Sequence, residues 1–187
     1  MPTIADSTVL VTGSTAPDFR LKEAEGGVVA RDDFADSDAL LVAFICNHCP
    51  YVVHISSALA SFAREFMPKG LAVVAINAND AERYPADSFD AMAEEKRRAG
   101  YPFPYLHDET QQVARAYGAV CTPDLFLFDG EMKLAYRGRF DDSTPGNDRP
   151  VTGDDLRDAV TALLTGKSLP DDPQPSMGCS IKWKEEG

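Results

Sequence analysis

Long hydrophobic runs are missing from this chain of 187 residues. The longest, Ala39 to Cys46, falls well short of the roughly 20 apolar residues that a membrane-spanning helix needs, so no membrane association is expected. Basic charge is also scarce: 18 Lys and Arg stand against 30 Asp and Glu, a formal net charge of −12. Nucleic acid and anionic lipid surfaces attract the opposite sign, so neither is expected as a partner. Residues 1–15 show no basic start and no apolar stretch, which predicts no secretory leader and a cytoplasmic location. Gly-rich phosphate loops, serine-triad motifs, internal repeats and domain-dividing linkers do not stand out either. Cysteine is sparse at four, namely Cys46, Cys49, Cys121 and Cys179. In a reducing compartment such thiols are catalytic, redox-active or metal-bound more readily than they form a static disulfide framework.

What is present is an alternation of strand and helix patterns. Residues 1–18 read as an arm ending in Ala16-Pro17-Asp18, followed by a short hairpin of residues 19–21 and 28–30 joined through Gly26-Gly27. Residues 40–45 and 71–76 are apolar on both faces, as buried parallel strands are. Between them Val52, Ile55, Leu59, Phe62 and Phe66 recur at steps of three and four and mark the core stripe of a helix. Pro50 suits its first turn, and Pro68 with Gly70 stops it. A second helix is predicted over 87–99, capped by Asp87 or Ser88 and ended by Gly100. Residues 105–106 suggest a minor strand and 110–117 a short helix ending at Gly118. Residues 125–128 and 133–137 flank an Asp129-Gly130 hairpin turn, and 154–164 form a closing helix. The segment from Leu169 onward, with Pro170, Pro173 and Pro175, is expected to run extended over the surface. All of 1–187 reads as one α/β domain, a core of about 10–165 plus a tail of 166–187, with a central mixed sheet flanked by helices.

Chemistry concentrates where the first central strand ends, in Cys46-Asn47-His48-Cys49-Pro50-Tyr51. A cysteine at a helix N-terminus meets unpaired backbone N–H groups and the positive end of the helix dipole, and both favour thiolate over thiol. Either thiol is also compatible with a small buried filler. Cys179 lies in the tail, where a mobile thiol suits a resolving role, while neighbouring Ile181 and Trp183 equally suit packing. His48 reads as a neighbour that lowers a thiol pKa, as a metal ligand, or as a solvated loop residue, the last being preferred. His54 falls opposite the core stripe and is expected in solvent, and His107 carries no motif. Cys46, His48, Cys49 and Cys121 offer a thiophilic metal such as copper or zinc a Cys-x-x-Cys spacing without a second matching pair. Asn77, Asn79 and Asp80 follow the second central strand as pocket lining or as turn formers.

Residues 13–21, with Ala16-Pro17-Asp18-Phe19-Arg20-Leu21, resemble the opening of peroxiredoxins and related redoxins, and residues 117–130 resemble their second signature. Cys46 to Tyr51 together with residues 178–183 resembles a peroxiredoxin-like subgroup of the thioredoxin-like superfamily. The resemblance covers about residues 10–165 and implies a thioredoxin-like sandwich. It implies that Pro123 is cis and faces the active cysteine, with the Thr122 backbone free to pair with an extended substrate. An ordinary trans proline opening an edge strand is the alternative. Cys121 then stands as a second candidate partner or as a structural thiol. It also implies that Arg139 returns to the active edge near Cys49, against the alternative of a solvated charge. In thioredoxins the nucleophile directly precedes the helix, and counted from Phe44 that place is Cys49, leaving Cys46 upstream as a resolving candidate. Peroxiredoxins carry a threonine three residues before their peroxidatic cysteine. Here Cys46 stands there, which tilts the expectation toward disulfide exchange.

The function expected is therefore a thiol–disulfide oxidoreductase or thiol-dependent antioxidant peroxidase acting through Cys49, with no cofactor. Its substrate would be a protein disulfide or a hydroperoxide, and a thiol reductant such as a thioredoxin system would recycle it. The alternative is a copper or zinc binding or delivery module using Cys46, His48 and Cys49. A binding protein on the same scaffold is a third possibility.

Overall fold

Two strands that expose almost nothing decide the architecture. In the computed structural model, which describes residues 10–186, β3 (Ala39–Phe44) is buried at every position and β4 (Leu71–Asn77) at all but one. Residues 1–9 of the expected arm, and residue 187, lie outside the described residues. Strands that are apolar on both faces need covers on both sides. The remaining elements supply them: β1 (Arg20–Glu23), β2 (Val28–Ala30), α1 (Pro50–Phe66), α2 (Phe89–Ala99), β5 (Tyr105–His107), α3 (Gln112–Tyr117), β6 (Cys121–Thr122), β7 (Asp124–Asp129), β8 (Leu134–Gly138), α4 (Asp154–Leu164) and β9 (Cys179–Ser180).

Seven strands form one mixed sheet in the order β2-β1-β5-β4-β3-β7-β8. β3 runs parallel to β4 and antiparallel to β7, pairing Phe44 with both Ile76 and Asp124. One face of the sheet packs against α1, α2 and α4, and the other against α3. Each predicted residue of the α1 stripe, Val52, Ile55, Leu59, Phe62 and Phe66, is at most 5% exposed. Ser88, rather than Asp87, caps α2, its hydroxyl accepting the Ala91 N–H at 3.2 Å. No helix among the described residues is long and apolar enough to cross a membrane.

The C-terminal segment runs extended over the surface as far as Ser180, as expected, and is pinned beyond that point. β9 pairs with β6 to make a second, two-stranded sheet across the ends of β3 and β4, and Ile181 is buried in the α3-side core. The backbone beyond it is stitched down: Asp80 N–H and the Gln111 side-chain amide donate to Lys182 O, Lys182 N–H donates to Asn79 Oδ1, and Lys184 N–H donates to Gln111 Oε1. Arg115 stacks over Trp183 at 4.5 Å. A strap results because the sheet edge offers the segment unpaired backbone groups and an apolar seat.

The α1 face yields a direct test. Phe62 is fully buried, with the rings of Phe66 and Phe140 at 4.8 and 6.0 Å. Phe62→Ala is expected to cost about 3–5 kcal/mol of unfolding free energy. Urea denaturation should show a lower midpoint at an unchanged slope. A cost under about 1 kcal/mol would contradict this packing.

Candidate active site

The antiparallel register of β3 and β7 builds the site. Because Phe44 lies opposite Asp124, the residues after the first and before the second are brought face to face. The Thr122–Pro123 peptide is cis. Cys46 Sγ lies 3.4 Å from Thr122 Oγ1, and Cys49 Sγ lies 3.3 Å from Thr122 O. Both cysteines are only 1% exposed.

Cys49 is the N-cap of α1, and its carbonyl accepts the N–H groups of Val52 and Val53 at 3.0 and 2.9 Å. Its side chain makes no cap bond, and the first turn carries no acidic residue, so no other anion answers the helix dipole. The Cys49 thiol is pulled down to about 4. The adjacent Cys46 thiol acts first as donor; burial opposes it, and the Cys179 thiol, the Val52 N–H and the Cys179 N–H assist. Cys46 is pushed up by the same pairing, by burial and by the charge of Asp87, with only the Thr122 hydroxyl opposing. Charge thus settles on Cys49 and the proton on Cys46.

Behind Cys46 stands Asp87, whose side chain has no access to solvent. It accepts the Asn47 backbone N–H at 2.7 Å, the side-chain amides of Asn77 and Asn79 at 3.2 and 3.0 Å, and His48 Nδ1 at 2.6 Å. His48 is therefore not the freely solvated loop residue expected. Asp87 orients it from one side and Tyr84 stacks on it at 6.0 Å. His48 is nonetheless exposed, whereas His54 is half-buried, its Nε2 2.7 Å from Ser143 Oγ, because α1 is covered at that point by the loop after β8.

For a metal, the ligand atoms of Cys46, His48 and Asp87 lie within 4.8 Å of one another, so Asp87 takes the place expected of Cys49. That carboxylate already has four donors, one of them His48 itself, and a cation bound there must displace at least the histidine.

The strap completes the site. β9 sets Cys179 opposite Thr122 and Ser180 opposite Cys121. Cys179 is thereby placed across from the residue whose carbonyl oxygen lies 3.3 Å from Cys49 Sγ. Burial and the Cys49 charge push the Cys179 thiol up in turn. Cys121 projects from the other side of β6, since successive strand residues face opposite ways. It lines a separate cavity with Asp124 and Arg137, and burial followed by the Asp124 charge pushes its thiol up to about 12.

Arg139 lies just past the end of β8 and shares a 450 Å³ cavity with Met177 and with Tyr51 and Pro123, which flank the active loop. Its guanidinium is paired there with the Asp155 carboxylate in the first turn of α4. The arginine that shapes the active loop is Arg137, which holds Asp124 at 2.9 Å and Gly118 O at 2.9 Å. Sequence reading missed Asp87 and Gln111, and it gave Asn79 only a generic edge role. Asp87 looked like a helix cap, and nothing local marks Gln111, whose partners lie in residues 78 and 182–184.

Residues 12–137 match the model of the AhpC/TSA family. The crystal structure of a hypothetical protein from Sinorhizobium meliloti 1021 is 51% identical and superposes with a TM-score of 0.94, covering 96% of this chain and 98% of that one. The thiol-disulfide oxidoreductase ResA of Geobacillus thermodenitrificans (strain NG80-2) is 28% identical over 131 residues, which are 69% of this chain and 70% of that protein. The peroxidoxin BcpB of Mycobacterium tuberculosis is 16% identical with a TM-score of 0.64, over 85% of this chain and 99% of that one, a likeness of fold alone. With a mixed sheet covered on both faces, a helix-capping cysteine and a match over most of its length, this chain is thioredoxin-like in fold and belongs to the AhpC/TSA family.

Proposed function

We propose that the protein is a thiol–disulfide oxidoreductase in which Cys49 is the nucleophile and Cys46 or Cys179 supplies the second thiol. The observation that carries this reading is the placement of Cys49 as N-cap of α1, its sulfur 3.3 Å from Thr122 O at the cis-proline turn, with Cys46 against the Thr122 hydroxyl and Cys179 set opposite Thr122 by β9. Its chemistry needs no cofactor. The Cys49 thiolate attacks one sulfur of a substrate disulfide, the substrate S–S bond breaks as the Cys49–S bond forms, and the departing sulfur leaves as thiolate and takes a proton. A second thiol of this chain, deprotonated, then attacks Cys49 Sγ and releases the other substrate sulfur. Two electrons pass to the substrate, and an external thiol reductant such as a thioredoxin system restores the dithiol. Cys46 occupies the position at which peroxiredoxins carry a hydroxyl, which favours exchange over peroxide reduction.

A thiophilic metal at Cys46, His48 and Asp87 is the second reading, favoured by the closeness of their ligand atoms. The two readings differ in stoichiometry: a metal form keeps its thiols unreactive until chelator is added.

Two measurements test the redox reading. Cys49→Ser is expected to lower the rate of exchange with a small aromatic disulfide on the order of a thousandfold or more, with Cys46→Ser and Cys179→Ser retaining the first attack and losing turnover by whichever thiol resolves. A Cys49→Ser protein of undiminished rate sinks the assignment. The second is the ultraviolet absorbance of thiolate against pH. A lowered pKa means that Cys49 is already ionised at neutral pH, so its absorbance should persist on acidification and vanish only as pH falls through about 4. In the unfolded chain the midpoint should return toward 9.0. A folded-state midpoint at the ordinary thiol value would contradict the site electrostatics.

A further inference from the structure

We infer that residues 178–181 are a built-in stand-in for a protein partner. The Thr122 edge would take an extended segment in which glycine precedes the reacting cysteine and an aliphatic residue follows it two positions on. This rests on the Cys49 reading above and names the substrate of that site. The strap already makes the interaction in miniature. It runs antiparallel to β6 with Cys179 opposite Thr122, and Ile181 N–H donates to Val120 O at 3.1 Å. That pairing sets Cys179 across from Thr122, whose carbonyl oxygen lies 3.3 Å from Cys49 Sγ.

Each position of the strap states a requirement. A Cβ on Gly178 would stand 2.0 Å from Thr122 O and 2.7 Å from its carbonyl carbon, so the chain hugs the edge at a place where only glycine fits. Ser180 is exposed and places no demand on its counterpart. Ile181 is 3% exposed and fills the apolar end of the edge beside α3. The pattern is thus Gly-Cys-x-aliphatic.

Strap and partner exclude each other. Upstream of Gly178 the strap is lightly held, by the Arg139 N–H to Gln174 O and by the Ser176 hydroxyl to Gly138 O, both at 2.9 Å, and Met177 is 62% exposed. For Ile181 to vacate its seat the adjoining Lys182 N–H must leave Asn79 Oδ1 as well, so displacement releases the strap as far as Lys182 while Lys184 stays bonded to Gln111. Being tethered, the strap competes at high effective concentration and a partner must displace it. Once it does, Cys49 Sγ bonds to the partner cysteine as the partner's S–S bond breaks. The leaving sulfur takes a proton from water.

The test uses the full-length reduced protein and three decapeptides, each linked through its cysteine to thionitrobenzoate, whose coloured thiolate is released on attack. Their cores are Gly-Cys-Ser-Ile, Val-Cys-Ser-Ile and Gly-Cys-Ser-Lys, and the symmetric nitrobenzoate disulfide reports bare Cys49 reactivity. The first peptide is expected to react about tenfold or more faster than the other two, the rate equivalent of one net hydrogen bond. In Gly178→Ala, whose strap no longer seats against Thr122, all four disulfides should gain access to Cys49, the first peptide by the largest factor. A first peptide that gains less than the small disulfide would overturn the competition. Equal rates for the three peptides would overturn the inference in the unaltered protein, whatever the variant does. An unreactive small disulfide would instead remove the nucleophile itself, and the proposal with it.

Discussion

A carboxylate shut away from water sets the shape of the thiol site. Burying an ionised Asp side chain is costly unless every acceptor position is met. Asp87 meets that demand by drawing four donors from three separate segments: the loop after β3, the end of β4 and the turn that follows it. Removing any one leaves a charge underbonded, so the segments hold each other in place. Asn79 extends the arrangement to the strap, with its amide on Asp87 and its Oδ1 on Lys182 N–H. The Cys46–Cys49 loop and the strap are therefore parts of one hydrogen-bonded unit.

That arrangement also explains why two cysteines separated by two residues behave differently. Cys49 has the helix terminus, the Cys46 and Cys179 thiols and backbone N–H groups on its side. Cys46 has burial, the ionised neighbour and the negative charge of Asp87 against it. Burial works against ionising Cys49 and the Thr122 hydroxyl works against protonating Cys46, but the remaining contributions favour charge on Cys49 and the proton on Cys46. The result is a Cys-x-x-Cys pair whose second member is the more acidic.

Much of the framework was legible in the sequence because it depends on periodicity. The stripe from Val52 to Phe66, the two-faced apolar runs of β3 and β4, and the helix of residues 154–164 each carry their pattern in neighbouring residues. Cys49 was legible too, because its setting is a strand end followed by proline. The pairing of Asp87 with His48 and the Asn47 N–H was not, since it joins loops about forty residues apart. Asp87 immediately precedes a genuine cap, Ser88, and local rules cannot separate the two. The strap was hidden for a different reason: its proline-rich lead describes the approach to the edge, while the seat comprises only β9 and Ile181.

The strap also gives the thiol site a chronology. Residues 174–184 emerge during translation after everything they cover, and Cys46, Cys49 and Thr122 can come together before the segment that seals them exists. On a nascent chain the dithiol is thus an open cleft, exposed to whatever oxidants and nucleophiles surround the ribosome. Covering of Cys49 waits on the arrival of β9 at the β6 edge.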